Sequence, residues 1–369
     1  MLLRKISLTN FRNYASQEIN FSDGINIFTG RNGSGKTNVI EAIHYLCLVK
    51  AYFHSGDSGA VKIGEEYFRL EGIFDSEHGD EIISLAYQSG VQKILKHDSI
   101  SYEKIADHVG KYPVVVIAPD DISLIIEGSE ARRRWLDSMI AQVDRIYLDH
   151  LIQYNRTLLQ RNALLKQWAS GFSRDEHLMN ILDEQLANFG EKIFEERKKC
   201  LRQIVPFIQK KYLFISEERE TASLEYESQL FENNFTKSLL IFREKDIATQ
   251  RTNFGIHRDD LDFLLNDFSL KKFGSQGQKK SFLIALKLAQ FDFIRNEKDT
   301  APLLLLDDIF DKLDHDRSMK LLEEVSSKNH SQVFITCTSF DNSFLKKSNR
   351  IFNVENGIVQ TRTTNQPIT

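Results

Sequence analysis

Cysteine is scarce in this chain: three in 369 residues, Cys47, Cys200 and Cys337, with no pair spaced like metal ligands. An odd, scattered set excludes a disulfide framework, and the three read as small core hydrophobes rather than reactive thiols. Long apolar runs are missing too. No stretch approaches the roughly 18 residues that span a bilayer. The opening MLLRKISLTNF lacks the apolar segment of a secretion signal. A cytoplasmic location with no membrane contact is the expectation. A basic excess is also absent. With a net charge of −4 the whole surface cannot be a glove for nucleic acid, so any such contact must come from a local patch. There is no internal repeat and no low-complexity tract. What remains is a globular composition, 41% hydrophobic and 27% charged, long enough for one large domain or two ordinary ones.

The pattern opens as strands. Leu2 to Leu8 alternates, Ile19 to Phe21 is a short apolar stretch, and Ile25 to Phe28 runs into a glycine-rich loop. Asn38 to Val49 then has helical spacing. Residues 61–105 read as a strand meander with turns at Gly64, Gly79 and Gly90, and Val114 to Ala118 as a buried strand closed by Pro119. Between Ser129 and Ser170 there is neither glycine nor proline. Apolar residues there recur every three or four positions, from Trp135 to Leu158, which predicts a long helix with Ser129 as its cap. A second helical stretch covers Glu176 to Tyr212, interrupted near Gly190 and ended or kinked at Pro206. Strands return at Leu261–Leu265, Leu303–Leu306, Gln332–Thr336 and Ile351–Val354, with a helix over Ser281–Arg295. The expected organisation is a discontinuous α/β lobe over 1–118 and 247–369, with a mainly helical lobe, 119–246, inserted in it.

Gly30-Arg31-Asn32-Gly33-Ser34-Gly35-Lys36-Thr37 fits the phosphate-binding pattern G-x-x-x-x-G-K-[ST]. The glycines let successive N–H groups turn toward one phosphate, and the following helix adds its positive end. Lys36 would reach the β- and γ-phosphates of ATP, and the Thr37 hydroxyl would hold Mg²⁺. A chance glycine-rich turn is the bland alternative, but the loop follows a strand and opens a helix as this chemistry requires. Leu303–Leu306 followed by Asp307-Asp308 matches a Walker B strand. Asp307 would hold Mg²⁺ opposite Thr37, and Asp308 would orient the attacking water. About 270 residues separate the two halves, so something large is inserted between them.

Ser275-Gln276-Gly277-Gln278, at the start of a helix, resembles the signature motif of ABC ATPases, and a simple serine-capped helix is the alternative. In that superfamily the signature of one subunit closes over the γ-phosphate held by another, which assigns Ser275, Gly277 and Gln278 to nucleotide binding across a homodimer. Asp311-Lys312-Leu313-Asp314 stands where the D-loop falls, or is a solvated acidic turn. Three departures are evident. Asp308 replaces the usual Glu. Cys337, Thr338 and Ser339 stand where a switch His is expected. Pro119-Asp120-Asp121 occupies the place of the Q-loop glutamine. Together they predict slow turnover, with ATP acting more as a clamp than as fuel.

The phrases LTNFRNY, APDDISLIIEGSEARRRWLD, YNRTLLQRNALLK, HRDDLDF, SQGQKK and LLLLDDIFDKLD, in this order, closely resemble the RecF family, although Ile256 replaces the family's usual Pro before His257. That resemblance implies an SMC-like head without the long coiled coil, and an insert of about 130 residues is too short for extended arms. It implies ATP-dependent dimerisation on double-stranded DNA near single-strand/double-strand junctions. It also implies cooperation with RecR and RecO in loading RecA at gaps, and a DNA-stimulated ATPase linked to repair, replication and the SOS response. For DNA, the basic candidates are Arg132, Arg133 and Arg134 at the start of the long helix and Arg156, Arg161 and Lys166 further along it. Lys271-Lys272 and Lys279-Lys280 flank the signature. These either grip phosphates without reading sequence or form a salt-bridged surface. His257-Arg258-Asp259-Asp260 has no role that its residues alone reveal; a salt-bridged turn is the favoured reading. A transporter ATPase would need the glutamine, the switch His and a short helical lobe. An OLD-type nuclease would need a further carboxylate-rich domain, for which residues up to 369 leave no room. A dead nucleotide site is opposed by intact Lys36, Thr37, Asp307 and Ser275.

Overall fold

The structure, a computed structural model, describes residues 1–53, 56–77, 79–216, 220–310, 315–327, 331–338 and 349–362. It divides into two compact units. The first takes Met1–Asp121, Phe214–Ser216 and the residues from Ile284 onward; the second takes Ile122–Leu213 and Glu217–Leu283.

The first unit begins with β1 (Leu2–Phe11), β2 (Tyr14–Asn20), β3 (Ile25–Thr29) and α1 (Lys36–Leu48). Then come β4 (Tyr67–Ser76), β5 (Gly79–Gln88), β6 (Ile94–His97), β7 (Ile100–Ser101) and β8 (Val114–Ile117). One six-stranded antiparallel sheet runs β2-β1-β4-β5-β6-β7. In β1 the buried residues are Leu3, Ile6, Leu8 and Phe11, a pattern that slips out of period two after Leu3. A β-bulge between Leu3 and Lys5 absorbs the slip and returns the apolar side chains to the core. Helix α1 is buried along most of its length and packs on β1, β4 and β5 on one side and on β8 and a later strand on the other.

The second unit contains α2 (Ser123–Ile126), α3 (Ser129–Val143), α4 (Arg145–Ala169), α5 (Glu176–Ser216), β9 (Ala222–Glu227) and α6 (Phe235–Thr249). It continues through β10 (Asp260–Leu265), β11 (Phe268–Ser269) and α7 (Leu270–Phe273) into α8 (Gln276–Lys298), within which the division falls. The single long helix expected from 129 to 170 is two. Asp144 breaks it, because its carboxylate accepts from the N–H groups of Ile146 at 2.8 Å and Tyr147 at 3.0 Å and so caps α4. Conversely, α5 continues through both Gly190 and Pro206. Gly190 is a packing residue rather than a breaker: a Cβ there would lie 2.3 Å from the Phe235 ring and 3.1 Å from that of Tyr154. The return to the first unit comes at 284 rather than at the expected 247. The strand β9, unforeseen in a helical lobe, pairs in full register with β10, from Asp260↔Glu227 to Leu265↔Ala222, and keeps residues 247–283 with it.

The first unit is completed by β12 (Leu303–Leu306), α9 (His315–Ser327), β13 (Val333–Cys337), β14 (Arg350–Glu355) and β15 (Ile358–Thr361). Its second sheet is mixed, in the order β15-β14-β3-β13-β12-β8, parallel throughout except for β15. Every residue of β8, β12 and β13 is buried, as expected of parallel strands covered on both faces. Among the described residues, no helix is long and apolar enough to cross a membrane.

Candidate active site

The order of the second sheet decides what meets. β3, β13 and β12 are adjacent and parallel, so the segments that follow them emerge at one edge, where ligands of open α/β sheets bind. Those segments carry the glycine-rich loop, Thr338 and Asp307-Asp308.

The loop is held in an unusual backbone path. Gly30, Gly33 and Gly35 have φ of 156°, 80° and 116°, and a Cβ on Gly30 would lie 2.3 Å from the Val354 carbonyl oxygen. Its outward carbonyls are tethered. Asn13 donates to Ser34 O at 3.0 Å, the Gly357 N–H donates to the same oxygen at 3.1 Å, and the Tyr14 hydroxyl donates to Gly35 O at 3.0 Å. Burial raises the Tyr14 pKa and keeps that proton in place. Beside them Arg12 forms a bidentate ion pair with Glu41 of α1, at 2.7 and 2.8 Å. The FRNY phrase is therefore a brace for the loop. Sequence reasoning noticed the phrase and missed this role, because the contact joins residues about 21 positions apart across two strands.

The residues present suit a triphosphate with a divalent cation. The N-terminus of α1 has no side-chain cap and no acidic residue in its first turn, so its N–H groups keep their positive end for an anion. Among the described residues the buried Ser34 hydroxyl has no hydrogen-bond partner. Lys36 Nζ rests on the loop's own carbonyls, Gly30 O at 3.0 Å and Arg31 O at 3.3 Å. Arg31, Asn32 and Gly33 are exposed at the mouth of the loop. Thr37 Oγ1 donates to the Asp307 carboxylate, 2.9 Å to Oδ1 and 3.1 Å to Oδ2, so the two expected metal ligands are already side by side. Burial pushes the Asp307 carboxyl up to about 6, opposed by the hydroxyls of Thr336 and Thr37. A bound cation would reverse that shift. Asp308, with φ of 42°, stands in the left-handed region just past the strand.

Asp121, in the place of the Q-loop glutamine, is committed to structure. It accepts from the Ala118 N–H at 2.8 Å, from the Tyr52 hydroxyl, and from Lys287 in an ion pair of 3.0 Å. Residues 311–314 of the expected D-loop, and Ser339, lie outside the described residues. In the second unit, Ser275 and Gln278 bond reciprocally. The Ser275 N–H donates to Gln278 Oε1 at 2.7 Å, and the Gln278 N–H donates to Ser275 Oγ at 3.2 Å, a capping box that starts α8. Gly277 lies within that first turn, and Ser275 remains exposed.

The basic residues proposed for DNA separate by exposure into three kinds. Arg132 and Arg161 are corrected: both are buried. Arg132 forms a bidentate pair with Asp260 at 2.7 and 2.9 Å and donates to the carbonyls of Leu124 and Glu127. Arg161, fully inside, bonds Asp183 at 2.6 Å and Asp246 at 2.7 Å. Arg133 is half-buried and donates to Asp259 O at 2.6 Å. Arg134, Arg156 and Lys166 are exposed, Arg134 beside Glu130 at 3.6 Å. The HRDD segment is a clamp. His257 Nε2 lies 3.1 Å from the Thr252 carbonyl and so carries the proton, which leaves Nδ1 to accept from the Tyr154 hydroxyl at 2.7 Å. Asp259 pairs with the buried Arg197 at 2.9 Å, and Asp260 with Arg132. Arg258 is exposed.

A glycine-rich anion loop facing a Walker B aspartate on a mixed sheet, with a second, largely helical unit inserted between them in sequence, defines a P-loop ATPase of the SMC-head type. A family model described as an AAA domain matches residues 5–360. The "DNA replication and repair protein RecF" of Flavobacterium johnsoniae is 44% identical over 92% of this chain and 94% of its own. That of Cytophaga hutchinsonii is 40% identical over 98% and 97%. The chain belongs to the RecF family. A solved structure described as "the recombination mediator protein RecF-ATP in RecFOR pathway" superposes with a TM-score of 0.90 at 31% identity, covering 98% of this chain and 97% of that one. An Smc head bound to the C-terminal winged-helix domain of ScpA, at TM-score 0.58 and 17% identity, shares the fold.

Proposed function

We propose that this chain binds ATP with Mg²⁺, hydrolyses it slowly with stimulation by DNA, and uses the bound nucleotide to close a homodimer over double-stranded DNA near single-strand/double-strand junctions. In this reading it works in the cytoplasm with RecR and RecO to help RecA load at gaps, serving repair, replication and the SOS response. The observation that carries the nucleotide part is the direct contact of Thr37 with Asp307 beside a loop whose Ser34 hydroxyl has no hydrogen-bond partner among the described residues and on whose own carbonyls the Lys36 ammonium rests. The likeness to RecF proteins solved with ATP supports it.

The loop N–H groups and Lys36 would hold the phosphates, Thr37 and Asp307 the cation, and Asp308 the attacking water. Mg²⁺ there supplies charge neutralisation on the phosphate oxygens. Ser275 and Gly277, at an exposed helix start, would approach the nucleotide of a second chain, with Gln278 holding Ser275 in place through the capping box. The exposed Arg156 and Lys166 support the DNA part. From residue 151 to 169, α4 contains no acidic residue, so its outer face, with Gln153, Asn155 and Gln160, is neutral or positive throughout. Arg134 is a weaker candidate, since Glu130 is its neighbour.

Light scattering with and without ATP·Mg²⁺ and a gapped duplex tests the clamp. A monomer should become a dimer with ATP, more firmly with DNA. Lys36→Met should abolish both nucleotide binding and dimerisation, whereas Ser275→Arg should keep ATP binding and lose the dimer. A Ser275→Arg chain that dimerises normally with ATP would sink the sandwich.

A further inference from the structure

The strand between the phosphate loop and the Walker B strand brings a residue that no motif marks. Thr336, the fourth residue of β13, is fully buried. Its hydroxyl donates to Asp307 Oδ1 at 2.7 Å and accepts the Asp308 N–H at 2.9 Å; Asp308 Oδ1 lies 3.3 Å away. A hydroxyl has one proton and two lone pairs, and both kinds are engaged here. The accepted N–H bond matters most. Asp308 has φ of 42°, a left-handed conformation that costs a non-glycine residue energy and needs a specific partner to hold it. That conformation sets the direction of the Asp308 side chain. Asp is also shorter by one carbon than the glutamate usual at this position, so small backbone shifts move its carboxylate out of reach of a water.

We infer that Thr336 is a positioning residue for ATP hydrolysis: its hydroxyl fixes the left-handed backbone of Asp308, and with it the carboxylate that orients the attacking water. This rests on the hydrolytic reading of the site above. Among the described residues Thr336 makes no hydrogen bond to the glycine-rich loop or to Thr37. It does bond Asp307, but that carboxylate keeps its Thr37 partner, so phosphate binding by the loop and Lys36 should change little without the Thr336 hydroxyl.

The test is steady-state ATPase of the full chain, with nucleotide affinity measured in parallel by titration of a fluorescent ATP analogue. Thr336→Val keeps the shape and removes the hydroxyl. The expected result is a kcat lower by about ten- to a hundredfold. The KM and the analogue affinity should stay within about threefold. Thr336→Ser should restore most of the rate. In an Asp308→Asn background, Thr336→Val should cost less than about twofold, because the positioned carboxylate is already gone. Normal turnover in Thr336→Val, a serine variant as slow as the valine one, or full additivity with Asp308→Asn would each overturn the inference. If the valine variant fails to fold in a circular-dichroism melt, Thr336→Cys, which keeps the volume and weakens the donor, is read by the same criteria. A wild-type chain that never hydrolyses ATP would defeat the underlying reading instead.

Discussion

A charged side chain on a helix is read by its sequence neighbours, but its function depends on which way the helix faces. Arg156 and Arg161 both lie on α4, five positions apart, and face opposite ways. Arg161 sits inside with Asp183, Asp246 and Thr252, the last at 2.9 Å. Removing one member of such a buried set strands the others. Arg161→Ala should therefore lower unfolding free energy by about 3–5 kcal/mol in a urea melt. Arg156→Ala and Lys166→Ala should leave the same melt within about 0.5 kcal/mol. They should instead weaken DNA binding uniformly across sequences and flatten its dependence on salt. An Arg156→Ala chain with unaltered DNA affinity would remove α4 from the DNA-binding face. The His257 clamp belongs to the same scale. In HRDD His257, Asp259 and Asp260 are all engaged within the protein, which explains a phrase that sequence alone left without a role.

Elements were legible where their signal is local. The strand, loop and helix around Lys36, the buried runs at 114–117 and 303–306, and the helix containing 281–295 are all present. The errors came where a local cap hides inside a helical period, or where helix packing overrules a local preference. Asp144 looks unremarkable in a helical run, yet it caps α4 and separates it from α3. Gly190 and Pro206 look like breaks, yet α5 runs through them. At Gly190 the rings of Phe235 on α6 and Tyr154 on α4 approach α5 too closely for a methyl group. Gly190→Ala should raise helix propensity by about 1 kcal/mol. It should nevertheless destabilise the chain by about 1–3 kcal/mol through the clash with Phe235 and Tyr154. A thermal melt reads the sign: a higher Tm would show that the ring gives way freely.

At the scale of the molecule, three histidines in two units, His44 and His108 buried and His257 partly so, share one behaviour. Burial lowers His44 to about 3, His108 to about 4 and His257 to about 4. In the unfolded chain each titrates near the ordinary value of about 6.5. Between those values the unfolded state binds more protons, so stability present above about pH 6.5 is lost as pH falls toward 4, by up to roughly 3 kcal/mol for each histidine. Asp307, raised instead of lowered, acts in the opposite sense and only in the absence of a cation. The urea midpoint should therefore drop steadily from pH 6.5 to 4.5, and His257→Gln should flatten that slope. A slope unchanged in the variant would mean that folding does not shift the titration of His257.

What the sequence by itself determined was where the two motifs of the candidate nucleotide site fall: Gly30 to Thr37 and Asp307-Asp308 are each contiguous in sequence, and motif spacing reports backbone geometry directly. The class of fold followed from the same strand-loop-helix order. The tertiary structure decided the rest. It placed β13 between the two halves of the site, and so brought Thr336 against Asp307 and Asp308. It turned Asn13 and Tyr14 onto the loop, buried Arg132 and Arg161, and joined residues 247–283 to the inserted unit through β9. The physical reason is common to all of these. Each is a contact between residues far apart in sequence, and only the pairing of strands and the facing of helices determines which polar groups finish inside with partners and which finish outside with water.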